Sequence, residues 1–221
     1  MQHIIEITED GSHTLYVPEL DEHYHSTHGA IRESLHVYLE AALHHCGKSE
    51  VNLLEIGFGT GLNAFLTLLD IEKTEKTIRY TTLERYPVSF VDAQMFNYSK
   101  LVDPTQEEKF MRLHSCLWGD WVEITSHFHL KKLQMDASSP ENFQPEELFD
   151  VIYYDAFAPE KQPAMWTQEI FNRLYALSNQ GAVLTTYCAK GVVRRMLQAS
   201  GFVVERLSGP PGKREILRAV K

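Results

Sequence analysis

The sequence predicts an α/β fold, a doubly wound seven-stranded mixed sheet, on three observations. Strand-like apolar runs alternate with helix-like segments through most of the chain, as parallel strands with crossover helices require. The run Leu53-Leu54-Glu55-Ile56 passes into Gly57-Phe58-Gly59-Thr60-Gly61, a glycine turn that opens a helix. The last two strand-like runs are joined by Ser208-Gly209-Pro210-Pro211-Gly212, a link too short for a crossover, so they pair antiparallel.

Each element follows from its local pattern. Residues 4–17 alternate apolar and polar around Asp10-Gly11, a hairpin signal. Residues 21–29 are polar and histidine-rich and read as a loop. Ser26 or Thr27 caps a helix over 30–45 with Leu35, Tyr38, Leu39 and Ala42 on one face. Strand 51–56 and helix 61–71 begin the doubly wound part, followed by strand 78–83 and a helix after Pro87. Residues 98–127, holding Trp118 and Trp121, interrupt it with a helical insertion. A strand at 128–135, a short helix at 140–148 and a buried-type strand Phe149–Tyr154 resume the pattern. Helix 163–178, strand 181–187, helix 190–200 and the closing pair 202–207 and Glu215–Val220 complete it.

With 221 residues, 43% hydrophobic and 23% charged, the chain suffices for one full-sized core and is short for two. The expected organisation is one domain over 1–221, with a hairpin-and-helix extension over 1–50 and the insertion at 98–127. Apolar runs are broken within about ten residues, too short to span a bilayer. Met1-Gln2-His3-Ile4-Ile5-Glu6 lacks the basic stretch and apolar run of a secretory signal. Cys46, Cys116 and Cys188 are widely spaced and read as reduced thiols of a cytoplasmic protein. The net charge is −9, yet residues 181–221 carry +6, which leaves room for a phosphate-binding patch or a solvated mixed-charge face.

In open α/β sheets, ligands bind beyond the carboxyl ends of the strands where the winding reverses. Gly57, Gly59 and Gly61 let the backbone approach a ligand closely, and the helix start offers free N–H groups. The spacing G-x-G-x-G is one residue tighter than the dinucleotide fingerprint and suits S-adenosylmethionine, which has no pyrophosphate. Glu84, 23 residues after Gly61, is placed to accept hydrogen bonds from both hydroxyls of a ribose. Asp136, at the end of the third strand, either bonds an adenine amino group or caps a helix. Asp155 leaves an apolar strand ahead of two prolines, placed to hold an amine with its lone pair facing a methyl donor; capping is the alternative. Phe157 and Trp166 are candidate walls for a planar base, and Trp166 is equally a core aromatic. His23, His25 and His28 fit no standard metal spacing, so no metal is expected. No nucleophile elbow or phosphate-binding Walker loop is present.

The run Asp155-Ala156-Phe157-Ala158-Pro159-Glu160-Lys161-Gln162-Pro163-Ala164-Met165-Trp166 resembles the D-x-F-x-P-x-K-x-P-x-M-W segment of the MnmC methyltransferase modules of bacterial tRNA 5-methylaminomethyl-2-thiouridine biosynthesis. The match extends through Glu55-Ile56-Gly57-Phe58-Gly59-Thr60-Gly61-Leu62-Asn63, His25-Ser26, Glu33-Ser34, Val37 and Lys213-Arg214-Glu215-Ile216-Leu217. The resemblance implies a Rossmann-like class I methyltransferase that moves a methyl group from S-adenosylmethionine to the aminomethyl nitrogen of a tRNA wobble uridine. It adds Glu55 and Asn63 to the expected cofactor site, and Lys213 and Arg214 as expected tRNA contacts. The chain departs from the two-domain form, having no room before Lys221 for a flavin domain, so the expectation is that either a separate flavin-dependent oxidoreductase acts upstream as a partner or the aminomethyl form arises directly. Rival readings are the same fold acting on a small-molecule or protein amine, and a non-catalytic nucleoside-binding module. A dinucleotide oxidoreductase fits the glycine spacing poorly.

Overall fold

A computed structural model describes residues 3–74 and 76–221; Met1 and Gln2, part of the signal-segment expectation, lie outside them. Strands β1 (Ile4–Ile7), β2 (His13–Val17) and β3 (Glu22–His23) form a small antiparallel sheet in the order β1-β2-β3. Helix α1 (Ala30–Ser34) continues as one π-helical segment, Leu35–Glu40, and a short 3-10 turn, Leu43–His45. Neither Ser26 nor Thr27 caps it; Gly29 occupies the N-cap. Part of the expected loop at 21–29 is therefore strand β3, held by pairing Tyr16 with His23 and Val17 with Glu22.

Next come β4 (Glu50–Ile56), α2 (Leu62–Ile71), β5 (Thr77–Glu84), α3 (Phe90–Ala93), α4 (Tyr98–Val102) and α5 (Glu107–Ser115). Then follow β6 (Trp121–Thr125), β7 (Phe128–Gln134), β8 (Phe149–Tyr154), α6 (Gln168–Ala176), β9 (Ser178–Thr186), α7 (Gly191–Ala199), β10 (Val203–Ser208) and β11 (Glu215–Val220). The main sheet has eight strands, ordered β10-β11-β9-β8-β4-β5-β7-β6. Strands β7, β5, β4, β8 and β9 run parallel, and β10-β11 is the expected antiparallel hairpin, with β11 antiparallel to β9.

The eighth strand corrects the sequence expectation of seven. Trp121-Val122-Glu123-Ile124-Thr125 was expected inside a helical insertion, but it turns at Ser126-His127 and pairs antiparallel with β7. Its β-branched residues suit a pleated surface, and pairing covers the edge that β7 would otherwise present. The expected helix at 140–148 is only a 3-10 turn, Pro140–Asn142, because Pro145 lacks the N–H that a continued helix needs. The expected helix at 163–178 divides into a 3-10 turn, Pro163–Met165, and α6, which is capped by the Thr167 hydroxyl.

Two apolar layers flank the sheet. One packs Tyr38, Leu39, Phe65, Tyr98 and Phe110 from the π-helical segment, α2, α4 and α5. The other packs Phe171, Leu174, Val193 and Leu197 from α6 and α7. Strand β8 is buried along its whole length, as a strand covered on both faces must be. The insertion grips the N-terminal sheet: Tyr98 donates to the His13 carbonyl at 2.7 Å, and Asn97 donates to the Gly11 carbonyl at 2.8 Å. The chain leaves β4 toward β5 and β7, then returns to β8 and β9, so the winding reverses between β4 and β8.

Candidate active site

A cavity of about 180 Å³ opens at that reversal, beyond the carboxyl ends of β4, β5, β7 and β8. Gly57, Gly59, Asn63, Glu84, Asp136, Asp155, Phe157 and Lys213 line it, so four separate strand ends meet the C-terminal hairpin there. Gly57, Gly59 and Gly61 all have positive φ, +95°, +51° and +72°. Gly61 caps α2 behind the lining residues. The turn is braced from below. His114 of α5, kept neutral because burial and Lys132 lower its pKa to about 4, meets the Thr60 carbonyl through Nε2 at 3.1 Å. Lys132, fully buried, donates to the Leu113 and His114 carbonyls at 2.8 Å each and so fixes the end of α5.

Glu84 ends β5 with its carboxylate fastened by two backbone donors, Gly59 N–H at 3.0 Å and Tyr86 N–H at 2.7 Å. Each oxygen keeps a free lone pair at the cavity wall, which fits a pair of adjacent hydroxyls. Asp136 lines the cavity but is occupied: Oδ1 accepts from the Ser138 amide and hydroxyl, and Oδ2 pairs with Arg85 at 2.6 Å. Burial raises its pKa, but those hydrogen bonds and the Arg85 charge outweigh it and hold the carboxyl below its usual range.

Asp155 accepts from Asn63 Nδ2 at 2.8 Å through Oδ2. Burial pushes its carboxyl up to about 7, the Tyr38 hydroxyl and Asn63 amide partly offset this, and Glu33 adds to it. Phe157 meets Tyr24 edge to face at 5.1 Å, and Tyr187 donates to the Ala156 carbonyl at 2.8 Å. Glu33, only 6% exposed, pairs with Lys213 and also accepts from the Ser26 amide at 2.7 Å. Lys213 Nζ lies 4.8 Å from the Tyr187 ring centre, so the cavity holds a neutralised cation rather than a free one.

Four expected site residues stay off the wall: Gly61, which caps α2 behind it, and three more. Trp166 is buried behind it, its indole donating to the Phe157 carbonyl at 2.7 Å, so it stiffens the loop and Met165 faces the cavity instead. Arg214 is exposed and does not line the cavity; its carbonyl accepts from the Gly209 N–H at 3.0 Å, which closes the turn before β11. Glu55 is wholly buried in β4, on the face opposite Leu54 and Ile56. Conversely, Tyr24, His25, Glu33 and Tyr187 line the cavity without having been singled out as site residues. For His25 and Glu33 the one signal was their place in the matched motif; Tyr24 and Tyr187 carried none. His25 is kept neutral, burial lowering its pKa to about 4.

Among the described residues, no group of three or more His, Cys, Asp or Glu side chains is arranged to hold a metal ion. Among the same residues, no helix is long and apolar enough to cross a membrane.

The geometry agrees with what the chain resembles. It is 32% identical over 224 residues to the tRNA 5-methylaminomethyl-2-thiouridine biosynthesis bifunctional protein MnmC of Magnetococcus marinus, covering 94% of this chain and 32% of that one. It is 28% identical to the protein of the same name from Cupriavidus metallidurans, over 95% of this chain and 32% of that one. The chain thus spans about a third of the length of the curated relatives it matches. In fold it is similar to the crystal structure of MnmC2 from Aquifex aeolicus, with a TM-score of 0.80 at 24% identity, covering 99% of this chain and 70% of that one. Residues 108–221 match the family described as S-adenosyl-L-methionine-dependent methyltransferase. With just over half its length in that match and the eight-stranded sheet around it, the chain belongs to the S-adenosyl-L-methionine-dependent methyltransferase family.

Proposed function

We propose that the protein methylates the aminomethyl nitrogen of a 5-aminomethyluridine, with or without a 2-thio group, at the wobble position of tRNA. The observation that carries this reading is the Asp155–Asn63 pair, set at the sheet reversal where Asp155 opens the run that resembles the MnmC segment, in a chain 32% identical to an MnmC relative over 94% of its length. Tyr24, Phe157 and Tyr187 flank that pair with flat apolar surface suited to a nucleobase.

The residues present fit the cofactor. Glu84, anchored by two backbone amides, has lone pairs left for two ribose hydroxyls, and the turn at Gly57 and Gly59 lines the cavity while packing so closely on the Asp155 carbonyl and the Tyr24 ring that only glycine fits there. Bound S-adenosylmethionine supplies a methyl group activated on a sulfonium centre. The protein aligns the amine and manages its proton. An alkylamine has an ordinary pKa near about 10.4 and arrives charged. Asp155 is held through Oδ2 by Asn63, and its carboxylate keeps lone pairs to accept the amine N–H; with its pKa near 7, it is matched to take the proton at neutral pH. The half-buried aromatic side chains of Tyr24, Phe157 and Tyr187 limit the access of water to the freed lone pair.

This reading places the protein in the cytoplasm with tRNA as partner, and with an oxidoreductase upstream wherever the amine must first be unmasked. A small-molecule or protein amine is the second reading. It is favoured by the pairing of the tail cations Lys190, Arg206, Lys213 and Arg218 with Glu160, Glu215, Glu33 and Glu205, which shrinks the phosphate patch. Incubation with labelled S-adenosylmethionine and undermodified tRNA, followed by nucleoside mass spectrometry, tests the two. Label in 5-methylaminomethyluridine is expected; a labelled small amine with unlabelled tRNA would overturn the tRNA reading.

A further inference from the structure

Behind Asn63, which holds Asp155 at the cavity wall, lies a group of buried polar side chains. Glu55 has no exposure and Asn63 only 3%. Sheet register sets Glu55 beside Thr82 on β5 and Tyr153 on β8. Neither Glu55 oxygen makes a full hydrogen bond, nor do Asn63 Oδ1, the Tyr80 hydroxyl or the Thr82 hydroxyl. Yet the polar groups of Thr82, Tyr80 and Asn63 surround the carboxyl.

Asn63 has two ends, and one is committed. Its Nδ2 donates to Asp155, since turning the amide over would press its oxygen against a carboxylate. Oδ1 therefore faces inward, where a buried acceptor needs a donor. An ionised Glu55 offers only acceptors, whereas a neutral one has an O–H.

We infer that Glu55 is a positioning residue held in its neutral form, its O–H donating to Asn63 Oδ1 and so locking the Asn63 amide onto Asp155. Burial, the largest influence, pushes the Glu55 carboxyl up to about 8; the Thr82 hydroxyl partly offsets this, and the Asp155 charge adds to it. The other titratable groups facing this pair do not compete for the proton. Tyr80, Tyr153 and Tyr38 are all raised above the usual phenol range by burial, and Glu33 and Lys213 act on Asp155, the first raising and the second lowering its pKa. Mechanistically, the neutral acid does two things. It fixes the carboxylate that receives the substrate proton, and it keeps a second negative charge away from it.

The kinetic part rests on the amine-methylation reading, whereas the protonation state does not. A carboxyl whose pKa is raised on folding contributes stability below its unfolded pKa and loses it as pH rises through the folded value. The melting temperature of the wild type should therefore fall more steeply than that of Glu55→Gln from about pH 5 to about pH 9, because the amide cannot ionise. Infrared difference spectra should show a protonated-carboxyl band at neutral pH that Glu55→Gln lacks. In turnover on tRNA, Glu55→Gln keeps an N–H donor and should stay close to wild type, while Glu55→Ala should lose about tenfold to a hundredfold in kcat with little change in KM. Parallel melting curves for wild type and Glu55→Gln would overturn the inference, as would a Gln variant as impaired as Ala. If Glu55→Ala does not fold, the comparison of wild type with Glu55→Gln decides alone. A wild type inactive on tRNA would count against the substrate reading and leave the melting and infrared arms to judge Glu55.

Discussion

A Cβ placed on Gly57 would lie 2.6 Å from the carbonyl oxygen of Asp155, so the turn after β4 touches the end of β8 backbone to backbone. That contact sets how far the cofactor-binding turn stands from the carboxylate proposed to hold the amine. Gly57 also has φ +95°, a conformation that side chains resist. Gly57→Ala should therefore weaken S-adenosylmethionine binding by at least about tenfold and cost about 1–3 kcal/mol of stability. Calorimetric titration and thermal melts check both; an unchanged dissociation constant would show that the turn does not set the cofactor site.

Glu84→Ala removes a carboxylate that Gly59 and Tyr86 amides already orient. Each charge-assisted bond it offers a ribose hydroxyl contributes about 1.5–3 kcal/mol, so the dissociation constant should rise by more than about tenfold. Glu84→Gln, which keeps one acceptor, should fall between the two. A binding isotherm identical to wild type would remove Glu84 from the site.

Asp155, raised to about 7 mainly by burial, supports two opposite pH trends. Activity needs the ionised form, so kcat/KM should climb through about pH 7, and Asp155→Asn should lose that limb together with most turnover. Stability runs the other way: the neutral form is favoured on folding, and its contribution disappears as pH rises through 7. Asp155→Asn should accordingly melt higher than wild type at about pH 8 while turning over far more slowly. A variant both slower and less stable at that pH would contradict this account.

Lys213 and Arg214 are neighbours with different surroundings. Lys213→Ala strands the buried Glu33 carboxylate, so it should lower the melting temperature, and the double variant Lys213→Met with Glu33→Gln should recover part of that loss. Arg214→Ala should leave stability within about 0.5 kcal/mol and, if the residue meets a tRNA phosphate, reduce the salt slope of binding by about one. Equal melting temperatures for the two single variants would show that the ion pair contributes nothing.

The succession of the main parallel strands along the chain and the antiparallel closing pair were legible in the sequence because they rest on local properties. Apolar runs of strand length, a glycine turn opening a helix, and a short Gly/Pro link all act within a few residues. The same holds for Glu84 and Asp155, which stand immediately after such runs, so topology alone carries them to the sheet reversal. Strand β6 was missed because Trp121–Thr125 lies only five residues beyond helical sequence, and its partner β7 decides its state. Only the tertiary structure decides the rest, because burial and charge pairing arise between distant segments. It withdraws Trp166 and Glu55 from the cavity, joins Glu33 to Lys213 across 180 residues, and brings the small N-terminal sheet up as one wall. It also raises the pKa of Asp155, since desolvation depends on what packs around a carboxyl and not on its neighbours in the chain.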